Sequence, residues 1–175
     1  NTSSVTTWTV PNAPTIGTAT VVTDTTATVT YTAPAFTGGQ TITSYTAVSS
    51  PGNITGSVSQ AGSGTISISG LTAGATYTFT VYATNSVGNS SSSSSSNSID
   101  MKTVPGTPTI GTATATAYNT ATVTYTAPAD NGGTPITSYT AVSTPGNITG
   151  TVAQAGSGTI SVSGLSENTA YTFKV

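Results

Sequence analysis

The chain has 175 residues, and only six carry charge: two lysines, Lys102 and Lys174, and four acids, Asp24, Asp100, Asp130 and Glu167, for a formal net charge of −2 with no His, Arg or Cys. Two distant lysines cannot displace counterions from a phosphate backbone, so nucleic-acid binding is excluded. No stretch approaches the ~20 apolar residues of a membrane span, and no disulfide framework is available.

About a quarter of the chain is Thr, and the Thr alternates with Val, Ile, Tyr and Phe, which favours strands over coil. The chain is one unit written twice. Pro14–Thr20 returns at Pro108–Thr114, Thr26–Ala35 at Thr120–Ala129, Pro51–Gly56 at Pro145–Gly150 and Tyr77–Phe79 at Tyr171–Phe173, always at an offset of 94. About 50 of the 71 aligned positions are identical. A fixed period of this length marks a modular array.

Residues 1–10 align with 95–104 and read as the tail or linker of a preceding module. The first module, 11–104, is predicted to hold strands at 15–22, 26–33, 41–49, 54–59, 64–69, 76–85 and 92–101. Their boundaries are turn signals, such as Gly38-Gly39, Pro51-Gly52-Asn53, Ala73-Gly74 and Val87-Gly88-Asn89. The seven serines from Ser90 to Ser96 fall in the turn before the seventh strand and in its start, where a polar edge strand is expected. The second module, 105–175, yields six strands, at 109–116, 120–127, 135–143, 148–153, 158–163 and 170–175, and lacks the seventh. Seven short alternating strands in about 94 residues is the count of an immunoglobulin-like sandwich, so the fold class is all-β: two tandem sandwiches, the second incomplete.

The run Leu71-Thr72-Ala73-Gly74-Ala75-Thr76-Tyr77, continued by Val81-Tyr82-Ala83-Thr84-Asn85-Ser86-Val87-Gly88, resembles the fibronectin type III family, whose pattern is Leu-x-Pro-Gly-Thr-x-Tyr then Val-x-Ala-x-Asn-x-x-Gly. Ala73 and Ala75 depart from that pattern, and Asn168 stands in the second copy at the Gly74 position, where it tolerates a positive φ. Tyr31 and Tyr125 stand where the family carries a Trp, and Asp130–Tyr139 resembles the loop and strand of bacterial and phage members. The resemblance implies tyrosine corners at Tyr77 and Tyr171, each ring in the core and each hydroxyl bonded back to backbone.

No chemistry assembles on these residues. Hydrolytic triads need a base, usually His; zinc needs Cys or His; calcium wants several carboxylates, and Asp100 is alone near the linker. No catalytic residue, cofactor or metal is expected. The reading is a non-enzymatic spacer or adhesive segment of an extracellular protein; the resemblance implies a bacterial surface or a phage virion, in a fibre or decoration. Its partners are then neighbouring modules or other surface or virion proteins. The alternative is a binding module that recognises glycan or protein through loop aromatics, for which Phe36 and Tyr118 are the candidates. The open edge of the second module poses a further question. If Val175 is the end, residues 1–10 of another copy, with Val5 at the Ile99 position and Trp8 nearby, supply the strand and link chains into a homo-oligomer or filament; if the chain continues, its own next residues do.

Overall fold

A computed structural model describes residues 7–175. The chain divides into two compact units between Thr103 and Val104. In the first, β1 (Thr15–Val21), β2 (Thr26–Thr32) and β5 (Gly64–Ser69) form one sheet in the order β1-β2-β5. The facing sheet is β4-β3-β6-β7, from β3 (Ser44–Ser50), β4 (Thr55–Val58), β6 (Thr76–Thr84) and β7 (Ile99–Asp100). The second unit repeats this with β8 (Thr109–Ala117), β9 (Thr120–Thr126) and β12 (Gly158–Ser163) against β10 (Tyr139–Thr144), β11 (Thr149–Val152) and β13 (Thr172–Lys174). Its sheets are β12-β9-β8 and β11-β10-β13. The fold is all-β, two tandem immunoglobulin-like sandwiches, and the second has no counterpart of β7 among the described residues.

The alternation of apolar and hydroxyl side chains builds both cores. Along β6, Tyr77, Phe79, Val81 and Ala83 are buried while the intervening residues are half-exposed. Ala27, Val29 and Tyr31 of β2 and Ile66 and Ile68 of β5 meet them from the other sheet. Thr fits the outward positions because its branched Cβ suits the pleat and its hydroxyl faces water. Both first strands bulge at a glycine. A Cβ on Gly17 would overlap the Thr30 hydroxyl, and that hydroxyl instead accepts the Thr18 amide at 2.8 Å. Gly111, Thr112 and Thr124 repeat the arrangement.

One expectation needs correction. The seventh strand was predicted over 92–101, but regular pairing is confined to Ile99–Asp100, because the serines before it advance in steps of three rather than two, as described below. Of residues 1–10, the candidate donor segment, residues 7–10 are described. Val5 lies outside the described residues. Thr9 N–H donates to the Gly38 carbonyl (3.0 Å), the Asn85 amide donates to the Thr9 carbonyl (2.8 Å), and Asn12 N–H donates to the Phe36 carbonyl (3.1 Å). Residues 9–12 are thus bound to their own unit, and Trp8 lies beside Gly39 of the same unit. The cause is local: a Cβ on Gly38, which has φ +77°, would overlap the Thr9 carbonyl, so only glycine permits this approach.

Candidate functional site

Tyr77 and Tyr171 occupy equivalent positions at the start of the sixth strand of each unit. Thr72 N–H donates to the Tyr77 hydroxyl at 3.1 Å, and Ser166 N–H to that of Tyr171 at 2.9 Å. Hydrogen bonding from Thr72, side chain and then backbone, holds the Tyr77 hydroxyl below the ordinary tyrosine value. Backbone and then side-chain bonding from Ser166 does the same at Tyr171. The two differ in cover: Tyr77 is 4% exposed, whereas Tyr171 is only half-buried. The turn before each runs through a left-handed residue, Gly74 (φ +73°) or Asn168 (φ +54°), as the substitution of Asn for Gly requires.

A second tyrosine pair was not legible in the sequence. Tyr31 and Tyr45 face each other across the sandwich with ring centroids 4.2 Å apart, and Tyr125 and Tyr139 do so at 4.3 Å. Gln60 closes the first pair, donating to the Tyr31 hydroxyl at 2.7 Å and to the Ser63 carbonyl at 2.9 Å; Gln154 closes the second. Burial, and then the neighbouring ring hydroxyl, raises Tyr45 and Tyr139; burial raises Tyr31 against the lowering bond from Gln60. No buried side-chain nitrogen or oxygen lacks a partner among the described residues, so these groups are committed to the scaffold.

The loop candidates lie in different units. Phe36 is 50% exposed in the loop after β2, and Tyr118 is 87% exposed in the β8–β9 turn. Trp8, beside Gly39, and Val87 add exposed apolar surface to the first unit. Among the described residues no cluster of His, Cys, Asp or Glu is suited to a metal, and Asp100 instead accepts the Thr76 hydroxyl at 2.7 Å.

The edge beyond β6 shows the least anticipated chemistry. Ser96 N–H donates to the Phe79 carbonyl and Ser96 Oγ accepts Phe79 N–H (2.8 and 3.0 Å). Ser93 does the same with Val81 (2.9 and 2.9 Å) and Ser90 with Ala83 (2.8 and 3.0 Å). Each hydroxyl takes the place of a backbone carbonyl, then donates to the carbonyl of the following residue. Three residues of this segment therefore match two of β6. Two strand residues rise about 6.6 Å, so the segment is contracted to about 2.2 Å per residue. Ile99 opposite Tyr77 continues the same step. Asn97 reaches the other sheet, its amide accepting Ala19 N–H (2.8 Å) and donating to the Ala19 carbonyl (3.1 Å). Ile99 and Met101 then close the core, at 8% and 3% exposure. A run of seven serines hides a spacing of three, which is why the sequence alone could not show it.

In the second unit no described residue pairs with the same edge. A cavity of about 470 Å³ lies between β8 and β13, lined by Ala113, Ala117, Ala121, Leu165, Tyr171 and Phe173. Ala113 is exposed although its counterpart Ala19 is buried, and Phe173 is half-buried although Phe79 is fully enclosed.

The family described as "Fibronectin type III domain" matches residues 12–99. The chain is 32% identical over 148 residues to Endoglucanase B of Cellulomonas fimi, covering 79% of the chain and 14% of that protein. It is 37% identical over 123 residues to Chitinase A1 of Niallia circulans, covering 63% of the chain and 16% of that protein. The chain thus spans under a fifth of either relative. Among solved structures, the FN1-FN3 domains of chicken CNTN1 match at a TM-score of 0.48 with 14% identity, covering 93% of this chain and 65% of that one.

Proposed function

The chain belongs to the fibronectin type III family, and from that premise we propose that it is a non-catalytic spacer segment within a larger extracellular protein. One observation carries this reading. The two copies repeat their internal bonds residue for residue, from Tyr31–Gln60 and Tyr125–Gln154 to the serine clasps Ser49–Pro51 and Ser143–Pro145, while most of their differences fall at 21–25, 36–41 and 72–76, in or beside turns. What is repeated is scaffold, as a module that sets distance and stiffness requires. Two relatives that contain such a stretch are named for polysaccharide-degrading activities, and the chain matches only a small part of each. A bacterial surface or phage virion setting fits the same role, with neighbouring modules or other surface or virion proteins as partners.

Loop-mediated binding of glycan is the competing reading, favoured by the exposure of Trp8, Phe36 and Tyr118. Pull-down on insoluble polysaccharides together with single-molecule stretching separates the two. A spacer gives cooperative unfolding under force and no retention. Specific retention abolished by Phe36→Ala or Tyr118→Ala overturns it in favour of the glycan reading.

A further inference from the structure

We infer that Asn131–Gly132, in the loop before β10, is a self-modification site, where the Asn131 side-chain amide is lost through attack by the Gly132 backbone nitrogen. The substrate is the chain itself and the second reactant is water. Asn131 is the only Asn of the chain followed by Gly, the residue with no side chain to hinder closure of a cyclic imide. The loop supplies a base and an oxyanion donor to this pair. Gly132 N–H donates to Asp130 Oδ1 at 2.8 Å, so a carboxylate already holds the proton that the nucleophile must lose. Gly133 N–H donates to Asn131 Oδ1 at 3.0 Å, which polarises the carbonyl under attack and meets the oxygen on which negative charge develops. Gly132 and Gly133 have φ of +70° and +77°, and Thr134 N–H closes the turn on the Asn131 carbonyl at 3.4 Å. Gly132 is buried, while Asn131 is exposed and its leaving group escapes to water.

In the step, the Gly132 N–H proton passes to Asp130 and the bond from Gly132 N to Asn131 Cγ forms. The bond from Cγ to Nδ2 then breaks, and the proton departs with the amide as ammonia. Water opens the imide at either carbonyl, leaving Asp or its backbone-shifted isomer at position 131, with no oxidant or cofactor consumed. The product sets a second carboxylate beside Asp130, and in the isomer the turn gains a backbone methylene. The first unit has the same turn, with Gly38 and Gly39 at φ +77° and +80°. Phe36 and Thr37 stand there in place of Asp130 and Asn131, so that unit lacks both the base and the amide.

The test is incubation of the folded chain in mildly alkaline buffer, followed by peptide mapping with mass spectrometry, beside a synthetic peptide of residues 127–136. Loss of ammonia and gain of water should appear at residue 131 before any other Asn. The folded chain should react at least about tenfold faster than the peptide, because only the fold fixes base, nucleophile and carbonyl together. Asp130→Asn keeps an oxygen to accept Gly132 N–H but removes the base, and should slow the folded chain about tenfold with its circular dichroism unchanged. A folded chain that reacts no faster than the peptide would overturn the proposal whatever the variant does. So would an unchanged rate in Asp130→Asn, or earlier reaction at another Asn. The proposal is independent of the spacer reading: glycan retention through Phe36 would sink that reading and leave this one standing.

Discussion

Tyr77 and Tyr171 show how one residue type acquires different weight from its surroundings. Both hydroxyls accept a backbone N–H, but the Tyr77 bond is part-buried and the Tyr171 bond is exposed. Tyr77→Phe leaves the Thr72 amide without its partner in a part-buried setting and should cost about 1–3 kcal/mol. Tyr171→Phe should cost less than about 1 kcal/mol, because water can replace the lost partner. Chemical denaturation of the two variants checks the order, and equal losses would mean that the second corner is as well covered as the first. The tyrosine pairs set a pH dependence. Tyr31, Tyr45 and Tyr139 have raised folded values, chiefly through burial, so their neutral forms are favoured. The stability they contribute is complete below the ordinary tyrosine value of about 10 and is lost as pH rises through the raised folded values. Tyr77 and Tyr171 run in the opposite sense and offset part of this. The denaturation midpoint should therefore fall in strong alkali, and Tyr45→Phe should blunt the fall. A steeper fall in that variant would contradict the assignment.

The strands themselves were largely legible, because period-two alternation in β2, β5 and β6 leaves one register that buries Val, Ile and Phe. The corner turns were legible too, since Gly74 and Asn168 mark positive φ. What the sequence concealed is cross-strand. Gln60 follows no periodicity and acts through a tyrosine 29 positions away, and the serine segment escapes any two-residue pattern because its step is three. The contrast yields a prediction on one element. Ser96→Ala removes the side-chain acceptor of Phe79 N–H and should cost about 1–2 kcal/mol, whereas Ser95→Ala, on the exposed side, should be within about 0.5 kcal/mol of the parent. Thermal unfolding of both variants decides it, and equal effects would reduce the segment to a plain linker. Gly56 supplies a second case. A Cβ there would overlap the Ser67 carbonyl where β4 meets β5, and Gly150 meets Ser161 in the same way. Gly56→Ala should cost more than about 2 kcal/mol, and an unchanged melting temperature would refute the close approach.

At the scale of the whole chain, the described residues of the two units differ in how far each core is covered. The first core is sealed by Ile99, Met101 and the Asn97 clamp, while the second leaves Tyr171 and Phe173 half-buried beside the cavity between β8 and β13. Local stability follows the number of buried contacts and protected backbone bonds, so the second sixth strand should open first. The segments Tyr77-Thr78-Phe79 and Tyr171-Thr172-Phe173 are the same three residues, which removes most of the difference in intrinsic exchange chemistry between them. Both strands pair with a neighbouring third strand on one side, β3 or β10. Among the described residues only the first is held on its other side, by Ser96 and by Ile99 opposite Tyr77. Amide hydrogen exchange read at these two segments should therefore be slower in the first by at least an order of magnitude, since losing one edge of backbone bonds removes about 1–2 kcal/mol of local protection. Equal protection of the two segments would show that the contacts of Ser96 and Ile99 add nothing to the stability of the first.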